Sequence, residues 1–239
     1  MKILISGNNS KDIAGVVKKL GFDIVNSNPD IVLSFGGDGT LLTSERLYPS
    51  IPKLPLRNSL FCQKCPDHQD EVILNELLNG KLKLKEYKKL ETSLFYKKFF
   101  ALNDFVIRNI KPIHTIRFKV IENETPSKLY IGDGLVISTS FGLTGYFKSI
   151  TNLSFDKTQK EWGIVLNNTT EKVNPVYPRS NEEVGFKLVR GQATLSFDNS
   201  PEVFTIDEGS EVIFKLSNQF ARIYESTSLR CPKCKVIRD

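Results

Sequence analysis

Several residue types are scarce in this chain, and each scarcity removes a class of protein. No apolar run approaches the roughly eighteen residues a membrane-crossing helix requires. The opening Met1-Lys2-Ile3-Leu4-Ile5-Ser6-Gly7 reads as the start of a strand and lacks the charged, long-apolar and small-residue regions of a signal peptide, so a cytoplasmic protein is expected. There is no internal repeat and no low-complexity segment. Only two histidines occur, His68 and His114. A lone histidine is a surface or core residue more often than a catalyst, and neither receives a role. Acidic residues are outnumbered, 27 against 33 Lys and Arg, giving a net charge of +6. The excess is scattered, however, and its densest part, Lys81, Lys83, Lys85, Lys88, Lys89, Lys97 and Lys98, is expected to be a solvated face rather than a nucleic-acid stripe.

What is present is an ordinary globular composition, 40% hydrophobic and 25% charged, in 239 residues, enough for two modest domains each with its own core. Residues 2 to 42 alternate as an α/β unit: a strand at 2–6, a helix near 11–20 stopped by Gly21, a strand at 22–25 and another at 31–35. Ile13, Val16, Val17 and Leu20 recur at helical spacing. A second helix is predicted over Asp70 to Leu78. From about Lys81 the period becomes two, as in Ile116, Phe118, Val120, in Phe186, Leu188, Leu195, Phe197 and in Val212, Phe214, Leu216, with turn signals such as Asp198-Asn199-Ser200-Pro201 between runs. The expected fold is therefore an α/β N-terminal domain, a small doubly wound layer, over 1–85, and a β-rich antiparallel C-terminal domain over 86–225. A short tail, 226–239, follows.

Three stretches carry chemistry. In the first, the apolar strand Ile31 to Phe35 ends in Gly36-Gly37-Asp38-Gly39-Thr40. Glycines remove the Cβ atoms that keep a backbone away from an anion and allow positive φ, so N–H groups can converge on phosphate. A helix beginning at Thr40 would add its dipole. Asp38 would repel a phosphate unless a cation, usually Mg²⁺, accompanies it or a hydroxyl proton must be removed. The plain alternative is a Gly-Asp-Gly turn without a ligand. The second stretch, Asn103-Asp104 between apolar flanks, could read a base or ribose edge, or could be an Asx turn entering a strand. The third runs from Gly132-Asp133-Gly134 through Ser138-Thr139 and Gly142 to Thr144-Gly145-Tyr146 and Ser149. It is a strand opening into a hydroxyl-rich, glycine-bearing loop, with a helix possible near Thr144.

In this order and spacing the three stretches resemble the NAD kinase family, over roughly residues 1 to 225. The family's GGDGT stands intact at Gly36 to Thr40, its Asn-Glu pair appears as Asn103-Asp104, and its DG-x-x-x-ST-x-x-G-x-T-A-Y stretch as Asp133 to Tyr146. The resemblance implies transfer of a phosphoryl group from ATP or polyphosphate to the 2′-hydroxyl of NAD's adenosine ribose, with Mg²⁺ or another divalent cation, in a homodimer or homotetramer. Asp38 would then be the general base or metal-organising carboxylate, and Gly36, Gly37, Gly39 and Thr40 would hold the donor phosphates. Asn103, Asp104, Asp133, Thr144, Gly145, Tyr146 and Ser149 would hold NAD. A diacylglycerol-type lipid kinase shares GGDGT, and a non-catalytic NAD(P)-binding regulator is the rival from outside the enzymes.

The chain also departs from the family. The usual GIN-x-G-x-LGFL loop is represented by Pro55-Leu56-Arg57-Asn58-Ser59-Leu60-Phe61, which has neither glycine, and the Pro-His-Ser stretch is replaced near Thr170-Glu171-Lys172. The four cysteines form two pairs, Cys62-Gln63-Lys64-Cys65 and Cys231-Pro232-Lys233-Cys234. Two CxxC pairs can close a tetrahedral zinc site, and free thiols or disulfides are the alternatives. Zinc is the expectation here, on spacing alone.

Overall fold

The computed structural model describes residues 1–58, 69–122, 127–151 and 161–226. All four cysteines and His68 fall outside the described residues, as does most of the tail. Two compact units are formed: Met1–Tyr87 joined by the end of the last strand from Phe220, and Lys88–Gln219.

The first unit runs β1 (Lys2–Ser6), α1 (Ser10–Lys19), β2 (Asp23–Ile24), β3 (Ile31–Gly36), α2 (Asp38–Leu47), β4 (Lys53–Arg57) and α3 (Asp70–Leu78). The strands pair in parallel in the order β2-β1-β3-β4. Helices cover such a sheet, so β3 is buried along Ile31–Phe35 and reads as an unbroken apolar run. Ile3, Ile13, Val17, Leu33, Leu54 and Ile73 pack together as its core. Gly21 stops α1 at φ +81°, and the N–H groups of Gly21 and Phe22 donate back to Lys18 and Val17. This double closure is a Schellman cap, and it explains why the strand expected at 22–25 is only Asp23–Ile24: Phe22 is used by the cap and buried in the core. Beneath α2, Lys53 of β4 is fully buried against Glu45 of α2, and its Nζ donates to the Tyr48 carbonyl at 2.5 Å.

The second unit carries the antiparallel strands. They are β5 (Lys83–Leu94), β6 (Lys97–Ala101), β7 (Asp104–Asn109), β8 (Ile116–Glu122), β9 (Lys128–Gly132) and β10 (Gly134–Thr139). After a 3-10 turn at Gly142–Thr144 come α4 (Tyr146–Thr151), β11 (Trp162–Asn167), β12 (Glu183–Arg190), β13 (Ala193–Phe197), β14 (Phe204–Ile206) and β15 (Glu211–Glu225). The unit boundary falls within β5 and β15. One sheet has the order β11-β10-β7-β13-β14, and β8 pairs with β9 and β12. Ile116, Phe118 and Val120 alternate inward as their period requires, beside Phe186, Leu188 and Phe214. β10 is buried on both faces, Leu135 and Ile137 toward this core and Val136 toward Leu143, Phe147 and Val165.

The lysine-rich stretch is a solvated face with one exception. Lys85, Lys88 and Lys98 pair with Glu225, Glu161 and Glu91 at 3.2, 2.8 and 2.8 Å. Lys89 is 4% exposed instead, because β5 is buried on both faces over Lys89–Thr92, and there its charge acts on Asp198. Among the described residues no helix is long and apolar enough to cross a membrane.

Candidate active site

The glycine turn of the first unit sits where β3 ends and α2 begins, at the carboxyl edge of a parallel sheet, the usual ligand side of such sheets. The helix starts at Asp38, two residues before the expected Thr40, so Asp38 lies in its first turn and Gly37 is the N-cap, with no side-chain cap. None of Gly36, Gly37 and Gly39 uses the positive φ that glycine allows. Their absence of Cβ is used differently. At Gly36 a Cβ would lie 2.2 Å from Thr40 Oγ1, so this glycine lets the helix start close to the strand. At Gly37 a Cβ would meet nothing within 4 Å, which leaves the backbone accessible. The first N–H groups of a helix lack intrahelical acceptors and favour an anion.

Asp38 does not face that turn alone. Arg57, the last residue of β4 and the register neighbour of Gly36, donates from Nη1 to Asp38 Oδ1 at 3.0 Å. The Arg57 side chain is 7% exposed and that of Asp38 49%. Ser34 completes the group; its Oγ is buried and has no hydrogen-bond partner among the described residues. In the sequence the Arg57 segment stands out only for the glycines it lacks. The available signal was a charged residue ending an apolar strand.

In the second unit the Asn103-Asp104 stretch and the 138–145 loop form one corner. The Asn103 carbonyl accepts from Thr139 N at 3.0 Å and from Ser138 Oγ at 3.2 Å, and Thr139 Oγ1 donates to the Leu102 carbonyl at 2.5 Å. At Gly142 a Cβ would lie 2.3 Å from the Asn103 carbonyl oxygen, and at Gly145 one would lie 3.3 Å from Asn103 Nδ2, so both glycines admit Asn103. Thr144, Gly145 and Ser149 are exposed on the rim, and the helix expected near Thr144 begins at Tyr146 after the 3-10 turn. The Tyr146 hydroxyl accepts from Asn167 Nδ2 at 3.2 Å, and Ser149 Oγ donates to the Tyr146 carbonyl at 2.7 Å.

The residue that holds this corner was read in the sequence only as a turn signal. Asp198 is 5% exposed and accepts the backbone N–H groups of Leu102, Asn103 (2.7 Å) and Asp104 (3.2 Å). Burial, and second the Asp198 charge, push the Asp104 carboxyl up to about 7. Burial also raises Asp198, to about 6, against the three backbone bonds and Lys89, which lower it. Asp104 therefore takes the first proton, since the backbone donors favour a charged Asp198.

Asp133 lies elsewhere in this unit. It precedes β10, and Asp104 pairs with Ser138 near the far end of that strand, five residues and about 17 Å along it. Its carboxylate accepts from Asn109 Nδ2 at 3.2 Å and Asn168 Nδ2 at 3.1 Å. Among the described residues no three His, Cys, Asp or Glu side chains cluster to hold a metal ion.

No protein-family model matches the chain. Among curated proteins, the NAD kinase of Helicobacter pylori strain P12 is 32% identical over 121 residues, 49% of this chain and 43% of that protein. The chain thus spans less than half the length of the Helicobacter relatives it matches. The NAD kinase of Aquifex aeolicus strain VF5 is 28% identical over 229 residues, 90% of this chain and 80% of that protein. Among solved structures, an NAD kinase from Archaeoglobus fulgidus in complex with ATP superposes with a TM-score of 0.80 at 18% identity, covering 100% of both chains. A yeast NADH kinase complexed with NADH gives 0.83 at 13% identity, over 98% of this chain and 86% of that one. At these identities the two structures establish the fold: an α/β unit and an antiparallel β unit.

Proposed function

We propose, for a chain that belongs to the NAD kinase family as a divergent member, the transfer of a phosphoryl group from ATP or polyphosphate to the 2′-hydroxyl of NAD's adenosine ribose, giving NADP. The observation that carries this reading is the glycine turn itself, with an accessible backbone at Gly37 and a half-exposed carboxylate in the first turn of α2. Phosphoryl transfer asks for positioning and charge neutralisation, which such a turn supplies. The ribose oxygen forms a bond to the terminal phosphorus, the bond from that phosphorus to the bridging oxygen breaks, and the shortened donor leaves with the electron pair. Asp38 accepts the hydroxyl proton. Gly36, Gly37, Gly39 and Thr40 present the donor's phosphate site. In the second unit, Asn103 and Asp104 supply amide and carboxyl groups for hydroxyl and base edges, Thr144, Gly145, Tyr146 and Ser149 the adjoining rim, and Asp133 a separate polar point.

A divalent cation, Mg²⁺ by preference, would neutralise the donor phosphates when bound. Asp38 fits as its protein ligand, because Mg²⁺ is commonly held by one or two carboxylates together with substrate phosphates and water. Cys62, Cys65, Cys231 and Cys234 are proposed to share a structural Zn²⁺ on their spacing. Metal analysis should then give about one zinc per chain. The proposed setting is the cytoplasm, as a homodimer or homotetramer.

The test is the full chain incubated with NAD, Mg²⁺ and either ATP or polyphosphate, with NADP measured. NADP should form with at least one donor. NAD binding without NADP from any donor would contradict the reading and favour a non-catalytic dinucleotide binder.

A further inference from the structure

In the segment that departs from the family's glycine loop, an arginine stands beside the phosphate turn. Arg57 ends β4 directly beside Gly36, and the next residue secures that placement, with Asn58 N donating to the Gly36 carbonyl at 3.1 Å. A guanidinium that is 7% exposed is costly to desolvate unless it is paired, and here it reaches Asp38, whose carboxylate is half in solvent. The cleft lined by Ser34, Gly36, Gly37, Asp38, Leu56 and Arg57 has a volume of only about 10 Å³, room for a single water at most. A phosphoryl group needs more room than this, and the Arg57 side chain is a lining group long enough to swing aside and give it. Two further features of the cleft suit an anion: the N-terminus of the ten-residue helix α2, with no side-chain cap, and the buried Ser34 Oγ, with no partner among the described residues.

We propose that Arg57 is the resident phosphate-binding cation of this turn. A donor phosphoryl chain draws the guanidinium from Asp38 Oδ1 onto its own oxygens, and the turn holds such a chain without a divalent cation. The inference rests on the phosphoryl-transfer reading and specifies what the donor site recognises. The charges support it. The Arg57 charge offsets that of Asp38, which alone would repel an anion from the helix terminus. The fork of guanidinium donors matches phosphate oxygens in pairs. The exchange also withdraws the guanidinium from the carboxylate proposed to accept the ribose proton.

Calorimetric titration of the full chain with inorganic tripolyphosphate in excess EDTA tests this. Wild type should bind, Arg57→Met should bind about tenfold more weakly or worse, as removal of a charge-assisted bond implies, and Asp38→Asn should bind at least as tightly as wild type because the competing carboxylate is gone. Wild-type binding only when Mg²⁺ is restored, or equal binding by Arg57→Met, would overturn the proposal. Should Arg57→Met fail to fold, Asp38→Asn decides: weaker binding than wild type would show that the carboxylate is not the competitor. Because no dinucleotide is present, failure to make NADP would count against the proposed reaction and leave this result standing.

Discussion

Both units hold their candidate subsites with buried charge, but the groups that satisfy it differ in kind. In the first, each buried ion meets an ion of opposite sign: Lys53 with Glu45 beneath α2, and Arg57 with Asp38 at its start. In the second, a buried carboxylate is satisfied chiefly by backbone N–H groups, with the charge of Lys89 in support. Asp198 gathers three consecutive N–H groups and lies close enough to another carboxyl, Asp104, to raise its proton affinity. The two arrangements suit different tasks. Under the proposed function, paired ions at the start of a helix would serve a phosphate site, while a backbone-held carboxylate would shape a corner for the hydroxyl and base edges of the dinucleotide.

The largest expected effect would break the first arrangement. Lys53→Met leaves Glu45 buried without its cation, and urea unfolding should show a loss of about 3 to 5 kcal/mol. A loss below about 1 kcal/mol, the range of exposed pairs, would mean that this ion pair does not support α2. Next, Asn103→Ala should weaken NAD binding by about 1 to 3 kcal/mol in calorimetry, through partners left unpaired on the ligand, with tripolyphosphate binding unchanged. Equal weakening of both ligands would erase the division between turn and corner.

A smaller effect concerns pH. The Asp104 carboxyl has a folded value of about 7, above its unfolded value, so the folded chain holds the extra proton. Its contribution to stability is present below the unfolded value near pH 4 and is lost as pH rises through about 7. Asp198, raised to about 6, acts in the same direction. Urea midpoints should accordingly fall between pH 5 and pH 8, and Asp104→Asn should flatten that decline. A decline of equal slope in the variant would place the titrating group elsewhere.

The comparison also separates what could be read in the sequence from what could not. The first unit is written locally. Helical spacing of Ile13, Val16, Val17 and Leu20, a stop at Gly21 and the apolar run into Gly36 each act within a few residues, and the elements formed near where they were expected. The helix Asp70–Leu78 has the bounds expected of it. Where the structure differs from local expectation, a tertiary demand intervenes: Phe22 is used by the α1 cap, which shortens the strand expected at 22–25, and the lack of a Cβ at Gly36 admits Thr40. Arg57 was hidden because its segment was compared with a glycine pattern and so counted as a loss. Asp198 was hidden for a stronger reason. Its bonds to the Asn103 corner cross 94 to 96 residues and depend on the pairing of β13 with β7, which brings Phe197 opposite Phe105. In sequence, Asp198-Asn199 shows only turn chemistry, and the left-handed φ of both residues, 42° and 56°, bears that part out.

If, as proposed, the turn performs transfer and the corner holds the dinucleotide, Asp38→Asn separates the two roles most directly when NAD affinity and NADP formation are measured on the same preparation. Affinity for NAD should match wild type while turnover falls by on the order of 10² to 10⁴. Turnover within about threefold of wild type, or a loss of NAD affinity that accounts for the whole decrease, would contradict that division of roles.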